Sequence, residues 1–116
     1  MAMNRFSYAA ALTVDEALAA LGADCRPIAG GVDLLDRLKE GLLAPECLVS
    51  LKQVGELAQV RVEADGIHVG ALVSLAALDA HPALAGPAEV CLRQALGVTA
   101  SPQIRHMATL GGNLLQ

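Results

Sequence analysis

The chain has 116 residues, a hydrophobic fraction of 54% and a formal net charge of −4. This length allows one domain or part of one, and the acidic balance excludes non-specific nucleic-acid binding, which needs clustered Lys and Arg. The longest apolar stretch without a formal charge, residues 66–78, is about 13 residues against the ~20 that a membrane span needs. Neither nucleic acid nor a membrane is therefore expected as a partner.

The first part of the chain predicts a strand followed by a helix. Residues 5–9 favour a strand, and Thr13 and Glu16 have the spacing of a capping box, in which each side chain satisfies a backbone donor at a helix start. Apolar residues then recur at helical spacing as far as Leu21. Gly22 suits the left-handed position behind the helix, so we expect the helix to end there.

A glycine pair separates the next strand from the next helix. Residues 26–29 predict a short strand, Gly30 and Gly31 a turn, and residues 32–40 an amphipathic helix with leucines on one side and charges on the other. Gly41 is expected to end that helix. The predicted order is strand, glycine turn, helix.

The remaining pattern adds an antiparallel hairpin and several helices. We predict a strand at 47–51, a hairpin around Asp65–Gly66, a helix capped by Ser74 and reaching about Ala80, a helix from Pro87 to Leu96 with Gly97 behind it, and a helix opened by a second glycine turn at Gly111–Gly112. A mixed α+β fold follows. Since the chain stops just where this last helix opens, we expect it to be the front part of a longer protein.

The cysteines and the N-terminus favour a reducing, cytoplasmic location. Cys25, Cys47 and Cys91 are odd in number and contain no C-x-x-C pair, so we interpret them as small buried hydrophobic residues. Asp15 and Glu16 stand where a signal peptide would need small residues for cleavage. His68 and His81 lack a second ligand at metal spacing, so no metal site is predicted.

The two glycine pairs are the candidate binding elements. A Gly-Gly turn permits positive φ and close approach of a ligand, and the following helix N-terminus attracts anions. Neither pair matches the Rossmann fingerprint or a Walker A loop. The residues alone leave open a plain tight turn, a phosphate site or, if both turns fold close together, a cradle for a diphosphate.

Three segments carry a resemblance to a known family. The stretches "IAGGVDLL", "VGALVSLAAL" and "SPQIRHMATLGGNLLQ" occur in the order found in the N-terminal part of the FAD-binding subunit of molybdenum hydroxylases. This group includes the medium subunits of xanthine dehydrogenase, carbon monoxide dehydrogenase and aldehyde oxidoreductases. The chain resembles that subunit over nearly its whole length, although the family subunit is more than twice as long.

The resemblance implies a fold and a cofactor site. The implied fold is α+β, with an N-terminal β-α-β-β lobe over residues 1–55 and the start of an antiparallel-sheet-plus-helices lobe over residues 56–116, as in the N-terminal part of a vanillyl-alcohol-oxidase/PCMH-type FAD-binding domain. Both glycine motifs would wrap the FAD pyrophosphate. The implied cofactor-binding residues are Ala29, Gly30, Gly31, Val32, Asp33 and Leu34 in the first motif, Thr109, Gly111, Gly112 and Asn113 in the second, and Ser101, Gln103 and Arg105 before it.

Three positions depart from the family pattern. Val32 stands where the family usually has Thr or His, so a side-chain donor to phosphate is absent. His106 replaces the usual Asn. Asp33 would place a carboxylate beside a diphosphate unless its side chain turns back to cap its own helix.

The resemblance also implies partners and a role. The flavin would take electrons from a [2Fe-2S] subunit, which drains a molybdenum-cofactor subunit, and would pass them to NAD, oxygen or another acceptor. No residue of this chain is predicted to be catalytic. Two alternatives remain open: a truncated folding or interaction module that does not hold FAD alone and can self-associate through its exposed apolar end, and a small domain that binds another diphosphate such as NAD or coenzyme A.

Overall fold

The computed structural model describes residues 3–116. They form two compact units, one up to Glu56 together with Gln116 and the other from Leu57 to Leu115. Both contain helices and strands, so the predicted α+β fold is confirmed. Within residues 3–116, no helix is both long and apolar enough to cross a membrane.

The first unit is a small parallel sheet with two connecting helices. Its elements are β1 (Ser7–Ala10), α1 (Val14–Ala20), β2 (Cys25–Ile28), α2 (Val32–Lys39) and β3 (Cys47–Ser50). The strand order is β1-β3-β2, and both neighbouring pairs are parallel. The central strand β3 carries the buried residues Leu48, Val49 and Ser50. The helix predicted at 32–40 lies between the second and third strands. The element order is therefore β-α-β-α-β rather than β-α-β-β.

The start of α1 confirms the capping box, and its end corrects a prediction. Thr13 Oγ1 accepts from the Glu16 amide at 3.1 Å, and the Glu16 carboxylate accepts from the Leu12 amide at 2.8 Å. The expected left-handed Gly22 is wrong. Leu21 caps the helix in an extended conformation, and its amide bonds to Ala17 O, so no positive φ is needed at Gly22.

The second unit packs helices against a hairpin. Its elements are β4 (Val60–Glu63), β5 (Gly66–Val69), α3 (Leu75–Asp79), α4 (Val90–Val98), α5 (Pro102–Met107) and α6 (Leu110–Leu114). The core of this unit consists of Val73, Leu75, Leu78, Leu84 and Leu96, flanked by apolar residues of the hairpin. The predicted cap is present, since Ser74 Oγ accepts from the Ala77 amide at 3.1 Å.

The predicted hairpin is confirmed, whereas two other local predictions in the second unit need correction. The hairpin turns at Ala64 and Asp65, and Gly66 already pairs with Glu63. The helix predicted from Pro87 to Leu96 begins at Val90, after a 3₁₀ turn at Pro87–Glu89, and continues through Gly97 to Val98. The second glycine pair lies inside α6 rather than in a turn before it, because Thr109 is the residue that caps this helix.

The interpretation of the cysteines as buried hydrophobic residues is wrong. Cys25 and Cys47 are register partners on β2 and β3, with Cα atoms 4.6 Å apart, and they form a disulfide. Cys91 is free and exposed. A separation of 22 residues gave no signal in the sequence, because only the parallel register of the two strands places these side chains together.

Candidate functional site

The first glycine motif follows the carboxyl end of β2. Ala29 and Gly30 form a bend, and Gly31 adopts φ = 78° as the N-cap of α2. A Cβ at Gly31 would lie 3.1 Å from Leu35 Cδ1 and 3.4 Å from Ile28 Cδ1. Both the left-handed backbone and this packing restrict the position to glycine.

The backbone amides of this motif are open. Not one N–H group from residue 29 to residue 34 donates a hydrogen bond to an atom of residues 3–116. The first bonded amide of the helix is that of Leu35, which donates to Gly31 O at 3.0 Å. Unpaired amides at the N-terminus of a helix carry partial positive charge, so this segment is suited to an anion such as phosphate.

Two side chains modify this site. Val32 is half-buried and offers no polar group. Asp33 does not cap its helix; its carboxylate lies 3.7 Å from the Arg37 guanidinium, one turn along α2. Both side chains are about half exposed to solvent, so the Arg37 guanidinium offsets the charge of the Asp33 carboxylate only weakly. An anion at this motif would be held by backbone amides, with Asp33 opposing it.

The second glycine motif has its amides engaged. The segment before α6 pairs with residues 71–75, and Thr109 caps the helix with its hydroxyl. All four amides from 110 to 113 donate within this unit: Leu110 to Val73 O at 2.9 Å, Gly111 to Ala71 O at 2.9 Å, Gly112 to Thr109 Oγ1 at 3.2 Å and Asn113 to Thr109 O at 2.9 Å. These amides are therefore not available to a ligand without giving up an internal bond.

Close packing explains the first glycine of this motif. A Cβ at Gly111 would lie 2.8 Å from Ala71 Cβ and 3.2 Å from Ala71 Cα. Gly111 has no positive φ, so its requirement is for space rather than for backbone freedom. A side chain here would push α6 away from the segment to which it is bonded.

The residues before the second motif have structural partners. Ser101 caps α5, since its Oγ accepts from the Ile104 amide at 3.2 Å. One guanidinium nitrogen of Arg105 donates to three carbonyls, those of Gly97 at 3.3 Å, Thr99 at 3.0 Å and Ala100 at 3.3 Å. Gln103 is exposed on α5. Arg105 thereby holds the end of α4 and the turn that follows it.

The turn held by Arg105 contains an unusual backbone conformation. Ala100 has φ = 55°, a left-handed conformation that non-glycine residues seldom adopt. The carbonyls that Arg105 engages would otherwise be unpaired at a helix C-terminus. The sequence pattern did not reveal this role, because it depends on the arginine reaching back from the next helix.

A cluster of three ionisable residues lies on the hairpin. Glu63, Asp65 and His68 place one ligand atom each within 4.8 Å of the others, and all three are exposed. His68 Nε2 lies 2.8 Å from Asp65 Oδ1, while Glu63 also pairs with Arg61 at 3.1 Å. Hydrogen bonding across a hairpin turn accounts for this arrangement.

Comparison with known proteins places these motifs in a family. The profile described as "FAD binding domain in molybdopterin dehydrogenase" matches residues 4–116. The carbon monoxide dehydrogenase medium chain of Afipia carboxidovorans is 36% identical, over 97% of this chain and 40% of that protein. The aldehyde oxidoreductase FAD-binding subunit PaoB of Escherichia coli is 40% identical, over 98% of this chain and 36% of that protein.

Solved structures agree with the sequence comparison. The structure of quinoline 2-oxidoreductase from Pseudomonas putida 86 matches 98% of this chain and 40% of that chain, with a TM-score of 0.92 and 35% identity. The chain thus spans about 40% of the length of such relatives. On the profile match and these relatives, the chain belongs to the family of FAD-binding domains of molybdopterin dehydrogenases, of which it covers an N-terminal part.

Proposed function

We propose that residues 29–34 bind a phosphate of FAD. The observation that carries the proposal is the run of open amides at the N-terminus of α2, ordered by the left-handed Gly31. This position at the carboxyl end of a parallel strand is where open α/β sheets commonly bind ligands. Ala29 to Leu34 contribute through their backbone, so the missing donor at Val32 leaves the site chemically competent.

The second motif has a different part in this proposal. Because the amides from 110 to 113 are engaged internally, its contribution comes from the exposed Asn113 side chain and from the small surface of Gly112. Thr109, Gly111, Ser101 and Arg105 support that surface through packing, capping and carbonyl contacts. Gln103 is exposed and remains a candidate for a direct contact.

The function that follows is electron transfer within a larger enzyme. When bound, FAD supplies the redox chemistry, while the protein binds and orients it. The relatives are a medium chain and an FAD-binding subunit by name, which supports further subunits of a larger enzyme as partners. We propose a molybdenum-cofactor subunit and a [2Fe-2S] subunit in this role, with NAD, oxygen or another compound as the electron acceptor. We further propose a cytoplasmic location. We also propose that the chain comprises one lobe over residues 1–55 and a second over residues 56–116.

FAD titration of the purified chain tests the phosphate cradle. Binding should quench flavin fluorescence, and Gly31→Ala should weaken it by about tenfold, because an alanine at positive φ is disfavoured by roughly 1–2 kcal/mol and distorts the amides. Gly22→Ala is the matched control, since a Cβ there meets nothing within 4 Å. Equal affinities of the two variants and the unmodified chain would argue against residues 29–34 as the site.

One observation favours a second candidate function, a folding or interaction module that does not hold FAD alone. Leu114 and Leu115 are 73% and 89% exposed, and Val98 is 85% exposed. Exposed apolar groups of this kind promote association. Sedimentation that shows self-association, together with unchanged flavin fluorescence, would support this candidate; a monomer that quenches FAD would exclude it.

A further inference from the structure

We infer that Cys25 and Cys47 form a reversible thiol–disulfide couple that controls how firmly the first glycine motif is held, an inference that rests on the proposed phosphate site. The two cysteines are register partners at the amino ends of β2 and β3. The glycine motif begins directly after the carboxyl end of β2, four residues after Cys25. One short strand thus joins the disulfide to the proposed anion site.

β2 depends on β3 for its position. In the sheet formed by the described residues, β2 is an edge strand that pairs only with β3. Beyond the ladder, Leu51 donates to Ile28 O at 2.9 Å, and the Gly31 position lies against Ile28 and Leu35. A short edge strand opens more easily than a central one. A covalent link to β3 therefore limits the opening that would displace residues 29–34.

The disulfide lies near the surface of the first unit. Both cysteines are only partly buried. A cavity of about 140 Å³ lies between the segments that flank them, lined by Ala23, Asp24, Arg26, Leu43, Ala44 and Pro45. Neither cysteine lines this cavity. Thiol–disulfide exchange needs access to the attacked sulfur, which only local opening of the strand ends beside the cavity would increase. In reducing compartments, disulfides of this kind are usually transient or redox-sensing rather than permanent.

The exchange balances with a small disulfide as oxidant. The two cysteine thiols react with one glutathione disulfide through a mixed disulfide, forming the Cys25–Cys47 bond and releasing two molecules of glutathione. Two electrons pass from the protein to the small disulfide, and the two protons of the cysteine thiols end on the two released glutathione thiols. An excess of glutathione reverses the reaction.

Alkylation of the whole chain after equilibration in glutathione buffers measures the couple directly. Mass spectrometry should find Cys25 and Cys47 joined and unalkylated in oxidising buffer, where exposed Cys91 is either alkylated or glutathionylated, and all three cysteines alkylated in reducing buffer. Three alkylated cysteines at every glutathione ratio would overturn the inference. So would a disulfide that persists in excess glutathione while the fold remains native.

Hydrogen exchange, measured without FAD, tests whether reduction of the disulfide loosens β2 and α2. Reduction should speed exchange of the Leu51 amide, which bonds to Ile28, and of the bonded amides of α2, while those of α6 stay unchanged. Reduction of the unmodified chain is the primary experiment, so the result does not depend on whether a variant folds. Unchanged exchange at Leu51 and α2 would refute the mechanical link.

FAD titration measures the consequence for binding. If the reduced motif is competent about one-tenth of the time, its apparent affinity for FAD falls about tenfold. Cys91→Ser should retain this redox response, and the double variant Cys25→Ser/Cys47→Ser should lack it. Absence of FAD binding in both redox states would contradict the proposed function, whereas the alkylation and exchange results would still decide the couple. Equal FAD affinity in both states would contradict the control of the site.

Discussion

The two glycine motifs look alike in sequence but use their backbones differently. In the first motif, the amides from residue 29 to residue 34 have no acceptor within the described chain, and Gly31 needs its positive φ. In the second, every amide from 110 to 113 has an internal acceptor, and Gly111 needs only space. A paired-glycine pattern therefore does not by itself identify an anion site. The decisive property is which amides remain unpaired after folding.

The largest expected effect concerns the unit that holds the open motif. Replacing both Cys25 and Cys47 by serine removes a link across 22 residues and should lower the free energy of unfolding in oxidising buffer by about 3 kcal/mol, on the chain-entropy estimate. Urea denaturation measures this change. The control Cys91→Ser should leave the midpoint within experimental error. Equal midpoints for the double variant and the unmodified oxidised chain would show that the link does not stabilise the unit.

The next effect tests whether Gly111 is needed for space. Gly111→Ala places a methyl group 2.8 Å from Ala71 Cβ and should destabilise the chain by about 1–3 kcal/mol, as overpacking does. Gly97→Ala is the control, because a Cβ inside α4 at that position meets nothing within 4 Å. It should stabilise the chain by up to about 1 kcal/mol through helix propensity. Similar thermal midpoints for the two variants would show that Gly111 is not required for space, and this difference from the first motif would then be lost.

A smaller effect is expected from the cap of α6. Thr109→Ala removes the hydroxyl that accepts from the Gly112 amide and should cost about 1 kcal/mol. Thr109→Ser keeps that acceptor and should recover most of the loss. Thermal unfolding followed by circular dichroism measures both variants. If Thr109→Ala and Thr109→Ser unfold at the same temperature, acceptance of the Gly112 amide by the Thr109 hydroxyl does not stabilise α6.

The smallest effect tests the charge beside the open motif. Asp33→Asn removes a carboxylate near the proposed phosphate and should raise FAD affinity by roughly twofold to fivefold at low salt, with less gain at high salt. Asp36→Asn, on the exposed side of the same helix, is the control and should change the affinity less. Fluorescence titrations at two salt concentrations compare them. A gain of the same size in both variants would point to a general charge effect rather than to a site at residues 29–34.

Much of the first motif could be predicted from the sequence. Local rules sufficed for the strand before Gly30, the helix after Gly31 and the stop at Gly41, which has φ = 73°. The caps formed by Thr13 and Ser74 were equally predictable from local sequence, since each side-chain oxygen accepts from an amide three residues ahead. Such features depend on side chains only a few residues apart, which is the range that pattern rules cover.

The remaining features depended on contacts between distant segments. The disulfide needed the register of β2 on β3, and the closing of the second motif needed Ala71 and Val73 beside α6. Arg105 acquired its role by reaching back to three carbonyls, including that of Ala100. The sequence by itself determined most of the helices and strands, the family and the paired glycines. Only the tertiary structure decided which amides were left open, because hydrogen-bond acceptors are supplied by chain segments that come together on folding.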